Sequence, residues 1–221
     1  MKTGAVDIDF IGHAGFIVKF KNNVLAIDPY HISDNLPKAD IILITHSHND
    51  HCSIRDIQKL SKKGTTVLCP VDCQSTLMKV KNVDVNIVEI DEVLDFNGFK
   101  IECLPAYTAN KRHSQSEGWL GYLLKFDKNI IYFAGDTDNI PEIKRLSGYG
   151  KNGNNFVVVL PVAGDVVMDA LTAANTASLL NPTLAIPMSY GAGLYGTVED
   201  AKRFVELCKQ RGVRAVMLEK I

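Results

Sequence analysis

Nowhere in the 221 residues is there an apolar stretch of the roughly 18 residues that a membrane-spanning helix needs. The opening MKTGAVDIDFIGHAGF has neither the apolar core nor the small-residue cleavage site of a secretory leader. No membrane association is expected, and the chain reads as cytoplasmic. Cysteine is scarce and irregularly spaced: Cys52, Cys69, Cys73, Cys103 and Cys208 make an odd five without a CxxC pair, which argues against a disulfide framework and fits a reducing compartment. Excess charge of either sign is missing, with 24 Lys and Arg against 25 Asp and Glu, so the basic footprint of a nucleic-acid binder is absent. There is no GxSxG, which argues against acyl transfer through a Ser-His-Asp triad. Repeats, low-complexity tracts and linkers are lacking too. The 46% hydrophobic content is ample for a large core, so one domain over residues 1–221 is expected.

What is present is a regular succession of short elements. VDIDFI, GFIVKF and VLAID are β-branched or aromatic runs parted by turn residues and read as an antiparallel meander. ADIILIT is a continuous apolar run, the pattern of a strand covered on both faces. SIRDIQKLSKK predicts a helix with Ser53 as N-cap, apolar residues Ile54, Ile57 and Leu60 at helical spacing, and a stop at Gly64. Strands then follow over TTVLCP, VNIVEI, FKIECLPA, WLGYLLKF and NIIYFAG, the last two forming a hairpin at DKN, with a short helix near VDCQSTLMKV. The chain ends in a strand–helix rhythm: NFVVVLPVAG, a helix from about Asp169 to Leu180, TLAIPMSY, a helix from about Val198 to Arg211, and VRAVMLE. β-rich beginnings with α/β endings in both halves predict an α/β (α+β) fold of two mixed sheets packed face to face, helices outside.

Three of the six histidines stand in ITHSHNDHCS, where His46, His48, Asp50 and His51 fall within six positions at the end of the ADIILIT strand. Zinc takes about four nitrogen, sulfur or oxygen ligands, and a catalytic site leaves one position to water. In a loop with irregular dihedrals this spacing aims imidazoles at two neighbouring points. A solvated His-rich loop is the bland alternative, disfavoured by the rarity of histidine and by the buried strand leading into the cluster.

These four residues match the HxHxDH signature in full, and here the sequence resembles the metallo-β-lactamase superfamily, with a nearest likeness to small lactonase-like hydrolases related to ascorbate-phosphate lactonase. IGHAGFIV resembles the opening hairpin, LAIDPY the Asp-Pro turn and YFAGDTD the Gly-Asp turn of that superfamily. The resemblance implies a four-layer αβ/βα sandwich and one or two divalent metal ions, zinc first, with manganese or iron as alternatives. It assigns His46 and His48 to one metal, Asp50 and His51 to a second, and Asp136 to both. Gly135 before Asp136 lets the backbone approach the metals, although a plain turn aspartate is the bland reading. Asp28 resembles a residue that orients a ligand histidine, and Asp before Pro is also a common turn pair. The resemblance places the third histidine of the first site just after the IECLPA strand, where Tyr107 and Thr108 stand instead; His113, a few residues on, is the remaining candidate nearby and reads as ligand or substrate contact against a surface histidine. His13 either faces the site or caps its hairpin by hydrogen bonding. His31 reads as a surface residue.

The pattern breaks in AIPMSYGAG, where Ser189 stands in place of the histidine that closes the second metal site in the superfamily. A hydroxyl is a much poorer zinc ligand than imidazole, so that site is expected to be weaker or empty. Two functions from different classes follow. One is a hydrolase acting with a metal-activated water on an ester, lactone, amide or phosphoester of a small metabolite, with Asp50 orienting the water and passing its proton to the leaving atom. The other is a catalytically degenerate metal- or ligand-binding scaffold. Expected substrate contacts are Tyr107, Asn110, Lys111, Ser189 and Tyr190; Lys111 with Arg112 suits a carboxylate or phosphate, or is a solvated pair. Trp119 reads as core. Relatives by this resemblance are often homo-oligomers.

Overall fold

Apolar residues along the strands decide the layering, because alternate side chains enter different cores. The computed structural model describes residues 1–96, 98–109 and 112–221. A seven-stranded sheet runs in chain order through β1 (Lys2–Thr3), β2 (Val6–Gly12), β3 (Gly15–Phe20), β4 (Asn23–Ile27), β5 (Ile41–Leu43), β6 (Thr65–Cys69) and β7 (Val83–Ile87). It is antiparallel up to β4 and parallel beyond. A six-stranded sheet holds β8 (Val93–Phe96), β9 (Phe99–Pro105), β10 (Leu120–Phe126), β11 (Asn129–Phe133), β12 (Asn155–Pro161) and β13 (Leu184–Met188), antiparallel from β8 to β11 and parallel from β11 to β13.

In β5, Ile41 and Leu43 join the core between the sheets, while Ile42 enters a second core under the helices α1 (Ile54–Leu60) and α2 (Gln74–Leu77). This is why ADIILIT has no polar face. On the far side, α3 (Ala170–Leu180) and α4 (Val198–Gln210) bury Ala173, Ala174, Ala177 and Phe204 in the first core, next to β12 and β13. The layers are therefore helix, sheet, sheet, helix. Among the described residues no helix is long and apolar enough to cross a membrane. All five cysteines are free and buried.

Three expectations need correction. Helix α1 stops at Leu60 rather than at Gly64, because Ser61 takes an extended backbone and its hydroxyl closes on the Ile57 carbonyl at 2.7 Å. The strand of VNIVEI is shifted towards the N-terminus, to Val83–Ile87, where it pairs with β6. VRAVMLE forms no strand: Ala215 bridges Ala185 of β13 and Lys220, just beyond the segment, bridges Phe10 of β2, so the C-terminal stretch ties the two sheets together by isolated bridges and makes no ladder with either. Strand β8, unforeseen, pairs with β9 at the sheet edge.

Candidate metal centre

Strand ends meet at one rim of the sandwich. The loop after β5 brings His46, His48, Asp50 and His51; the turn after β11 brings Asp136; the β9–β10 connection brings His113; the β2–β3 turn brings His13; and Asp28 follows β4.

Asp28 is buried and organises the loop. Its carboxylate accepts from the Thr45 amide at 2.8 Å, the Thr45 hydroxyl at 2.6 Å and His51 Nδ1 at 2.8 Å. With Nδ1 so engaged, His51 presents Nε2 to the rim, the arrangement by which a carboxylate fixes a ligand histidine's tautomer. Thr45 Oγ1 also lies 3.0 Å from His46 Nδ1, which leaves His46 Nε2 facing inwards, 3.0 Å from His48 Nδ1. Thr45 had no recognisable signal in the sequence, since threonine at a strand end is unremarkable.

Asp136 is held by a turn that only glycine serves. Gly135 has φ +66°, and a Cβ there would lie 2.5 Å from the Leu120 carbonyl oxygen. Asp136 then places Oδ1 3.5 Å from His51 Nε2 and Oδ2 3.9 Å from His46 Nε2 and 4.0 Å from His113 Nε2. His113 is buried in the cluster, and its loop is clamped by Thr108, whose amide donates to the His113 carbonyl at 2.9 Å and whose hydroxyl accepts from the His113 amide at 3.2 Å. His13 Nε2 lies 2.9 Å from Asp50 Oδ2, which is 3.6 Å from His51 Nε2.

The donor set fits divalent cations. His51 Nε2 and Asp136 Oδ1 are both buried and without a hydrogen-bond partner among the described residues. Donors 2.0–2.1 Å from a tetrahedral zinc ion stand about 3.4 Å apart, close to the 3.5 and 3.6 Å separations around His51 Nε2. Among the described residues, two triads have ligand atoms within 4.8 Å of one another: His46, His51, Asp136 and His13, Asp50, His51. His51 stands at their junction.

Electrostatics agree. Burial works against a charged His51, yet Asp136, Asp28 and Asp50 push it up to about 10. The same negative field attracts a dication. Burial lowers His46 well below the ordinary imidazole range, with the charge of His51 the next cause, and burial lowers His113 against the pull of Asp136. Asp50 is held well below the usual carboxylate range: burial opposes this, but the His13 hydrogen bond and the charges of His51 and His13 outweigh it.

A cavity of about 420 Å³ opens onto the cluster, lined by His48, Asp50, Arg112, His113, Asp136 and Tyr195 among others. The expected substrate contacts fare differently. Tyr107 is absent from this lining and donates instead to Glu142 at 2.9 Å, while its carbonyl receives the Thr137 hydroxyl, so it braces the turn after Asp136. Tyr190 is buried, stacks on Phe10 and donates to the Leu218 carbonyl, lining a separate cavity of about 460 Å³ beyond His13. Ser189 is buried with its hydroxyl unpartnered among the described residues, its amide bound to the His13 carbonyl at 2.9 Å. Asn110 and Lys111 lie outside the described residues. His31 is exposed and stacks on Tyr30. Trp119 is buried, as expected of core, but it also walls the cluster, its ring 4.5 Å from His46 and 5.1 Å from His113, with Nε1 donating to Asp72 at 2.7 Å.

Known proteins resemble this chain over nearly its whole length. A β-lactamase superfamily domain matches residues 7–189. A protein of Koribacter versatilis named as a metal-dependent hydrolase is 30% identical over 226 residues, covering 94% of this chain and 95% of its own. Another so named, from Nanoarchaeum equitans, is 27% identical over 219 residues and 96% of each chain. A crystal structure from Parabacteroides distasonis superposes with TM-score 0.80 at 28% identity, over 97% of this chain and 94% of that one. The match contains the HxHxDH loop, the Asp136 turn and the paired sheets that bring them together: the chain belongs to the metallo-β-lactamase superfamily.

Proposed function

We propose that this metal-dependent hydrolase uses a water activated at the rim cluster to cleave an ester, lactone, amide or phosphoester of a small metabolite. The observation that carries the reading is the convergence of His51 Nε2 and Asp136 Oδ1, buried, without a hydrogen-bond partner among the described residues and 3.5 Å apart. One ion would be held by His46, His48 and His113, a second by Asp50 and His51, with Asp136 shared; zinc suits these nitrogen and oxygen donors first, and manganese or iron also fit. A divalent cation so placed would lower the pKa of water from 15.7 to near 7 and would polarise the attacked carbonyl or phosphoryl oxygen.

The chain's own groups supply the rest. Asp50 is half-buried on the cavity wall, kept ionised by His13, and so is available to orient the attacking water and carry its proton to the leaving atom. Arg112, on the same wall, suits a carboxylate or phosphate of the substrate. A cavity of about 420 Å³ is of the size that takes a small metabolite. Five buried free thiols support a cytoplasmic setting.

The test is elemental analysis of protein purified without chelator, joined to hydrolysis of a p-nitrophenyl ester, an aliphatic lactone and a phosphodiester. Metal-dependent turnover, reduced about 10²–10⁴-fold in Asp50→Asn, is the expected result. Metal-free protein, or turnover indifferent to chelation, overturns the reading. Ser189 favours one rival, the degenerate scaffold, which predicts bound metal with no turnover of any of the three.

A further inference from the structure

Ser189 leaves the second metal position one nitrogen short, and the rim contains an imidazole that the ligand assignment above does not use. We infer that His13 is the fourth protein ligand of that position, replacing the histidine that Ser189 displaces. This inference rests on the metal-dependent reading above.

Geometry comes first. His13 is 3% exposed, and a ring nitrogen of His13, an Asp50 carboxylate oxygen and a ring nitrogen of His51 lie within 4.8 Å of one another, so the three can surround a single ion. The 2.9 Å contact between His13 Nε2 and Asp50 Oδ2 is shorter than the ~3.4 Å between two donors on one tetrahedral zinc ion, so an ion entering there parts the pair by only about half an ångström. The His13 ring meets that of His51 edge-on at 5.6 Å, and both Nε2 atoms face Asp50 Oδ2, at 2.9 and 3.6 Å.

The second observation is where the imidazole comes from. Residues 13 and 189 are hydrogen-bonded neighbours: the Ser189 amide donates to the His13 carbonyl at 2.9 Å, and His13 bridges Tyr190. Both take left-handed backbone, φ +55° at His13 and +61° at Ser189. One backbone hydrogen bond thus joins the position that lacks the expected imidazole to a position that carries one. The Ser189 hydroxyl is buried and without a hydrogen-bond partner among the described residues, so it makes no bond to the Asp50 carboxylate that His13 meets.

The test uses Co²⁺ on the intact chain. Wild type, His13→Asn, and His13→Asn with Ser189→His are loaded by equilibrium dialysis; asparagine suits the left-handed backbone at position 13. Wild type is expected to bind two ions and to show five hyperfine-shifted exchangeable imidazole N–H resonances, from His46, His48, His51, His113 and His13. His13→Asn should weaken one ion at least tenfold and leave the other unchanged, and Ser189→His should restore it. Two ions of unchanged affinity in His13→Asn overturn the inference and leave the hydrolase reading standing, since His13 would then only position Asp50. A single ion, or four shifted resonances, in wild type overturns it as well, and this measurement decides even if the variant does not fold. No Co²⁺ in wild type overturns both readings together.

Discussion

Asp28→Asn removes one charge from the most connected buried carboxylate of the rim and leaves its shape and its φ of +40° acceptable. The carboxylate accepts three hydrogen bonds of 2.6 to 2.8 Å, and the asparagine has a single oxygen to offer. If that oxygen stays on the Thr45 amide, the NH₂ confronts His51 Nδ1–H. Relief requires the proton to move to Nε2, which blocks the lone pair aimed at the metal. If the amide is flipped, its NH₂ meets the Thr45 N–H, a buried donor facing a donor at about 1–3 kcal/mol. Partners of this kind are worth 10–100-fold in metal affinity, about 1.4–2.7 kcal/mol. Loss of the Asp28 charge does not offset this by easing proton release from His51, because that charge attracts a dication at Nε2 more strongly than a proton. Competition against a chromophoric chelator with Zn²⁺ should therefore show one site weakened 10–100-fold in the folded variant. Binding within threefold of wild type would refute the orienting role of Asp28.

Gly135→Ala should cost about 2–5 kcal/mol, from left-handed backbone and a Cβ 2.5 Å from the Leu120 carbonyl, and should also lose metal because Asp136 moves; a thermal unfolding curve within 1 kcal/mol of wild type would contradict the close approach. Trp119 is the single tryptophan, packed on three of the histidines, so Co²⁺ should quench most of the emission with the first equivalent; unchanged fluorescence at saturation would detach the ring from the metal wall. His51, raised from 6.5 to about 10, holds its proton in the metal-free chain at pH 6, so metal uptake there should release about one proton from it, and affinity should climb with pH until about 10 and then level. Calorimetry in buffers of different ionisation enthalpy measures this, and zero release at pH 6 would mean that His51 is not a ligand.

Much of the fold was legible because its signals are local. Ser53 caps α1 and Asp169 caps α3 through hydrogen bonds to amides three residues ahead, a spacing visible in any printed sequence. The hairpin at Asp127-Lys128 joins strands whose residues 126 and 129 pair directly. What escaped depends on neighbours far along the chain. Residues 213–219 have strand composition, but Ala185 and Phe10 each offer only one partner, so composition cannot become a ladder. Strand β8 contains Asp95, alternates exposed and half-buried positions and exists because β9 offers an edge.

The site divides along the same line. His46, His48, Asp50 and His51 are neighbours in sequence, and Asp136 announces itself by the glycine before it. His113 stood near the expected place, and a reciprocal clamp with Thr108 five residues upstream returns it to the cluster. Trp119 and Thr45 carry no signature, because the features that matter, a ring against three imidazoles and a hydroxyl between Asp28 and His46, are contacts across elements. His13 is the sharpest case. Read along the chain, the loss at Ser189 looks uncompensated, since no histidine follows it. Read across the rim, residue 189 is hydrogen-bonded to residue 13, 176 positions earlier, and the imidazole is there. A ligand shell drawn from several strand ends is specified by which ends adjoin, so a donor can change strands while the ion keeps its place.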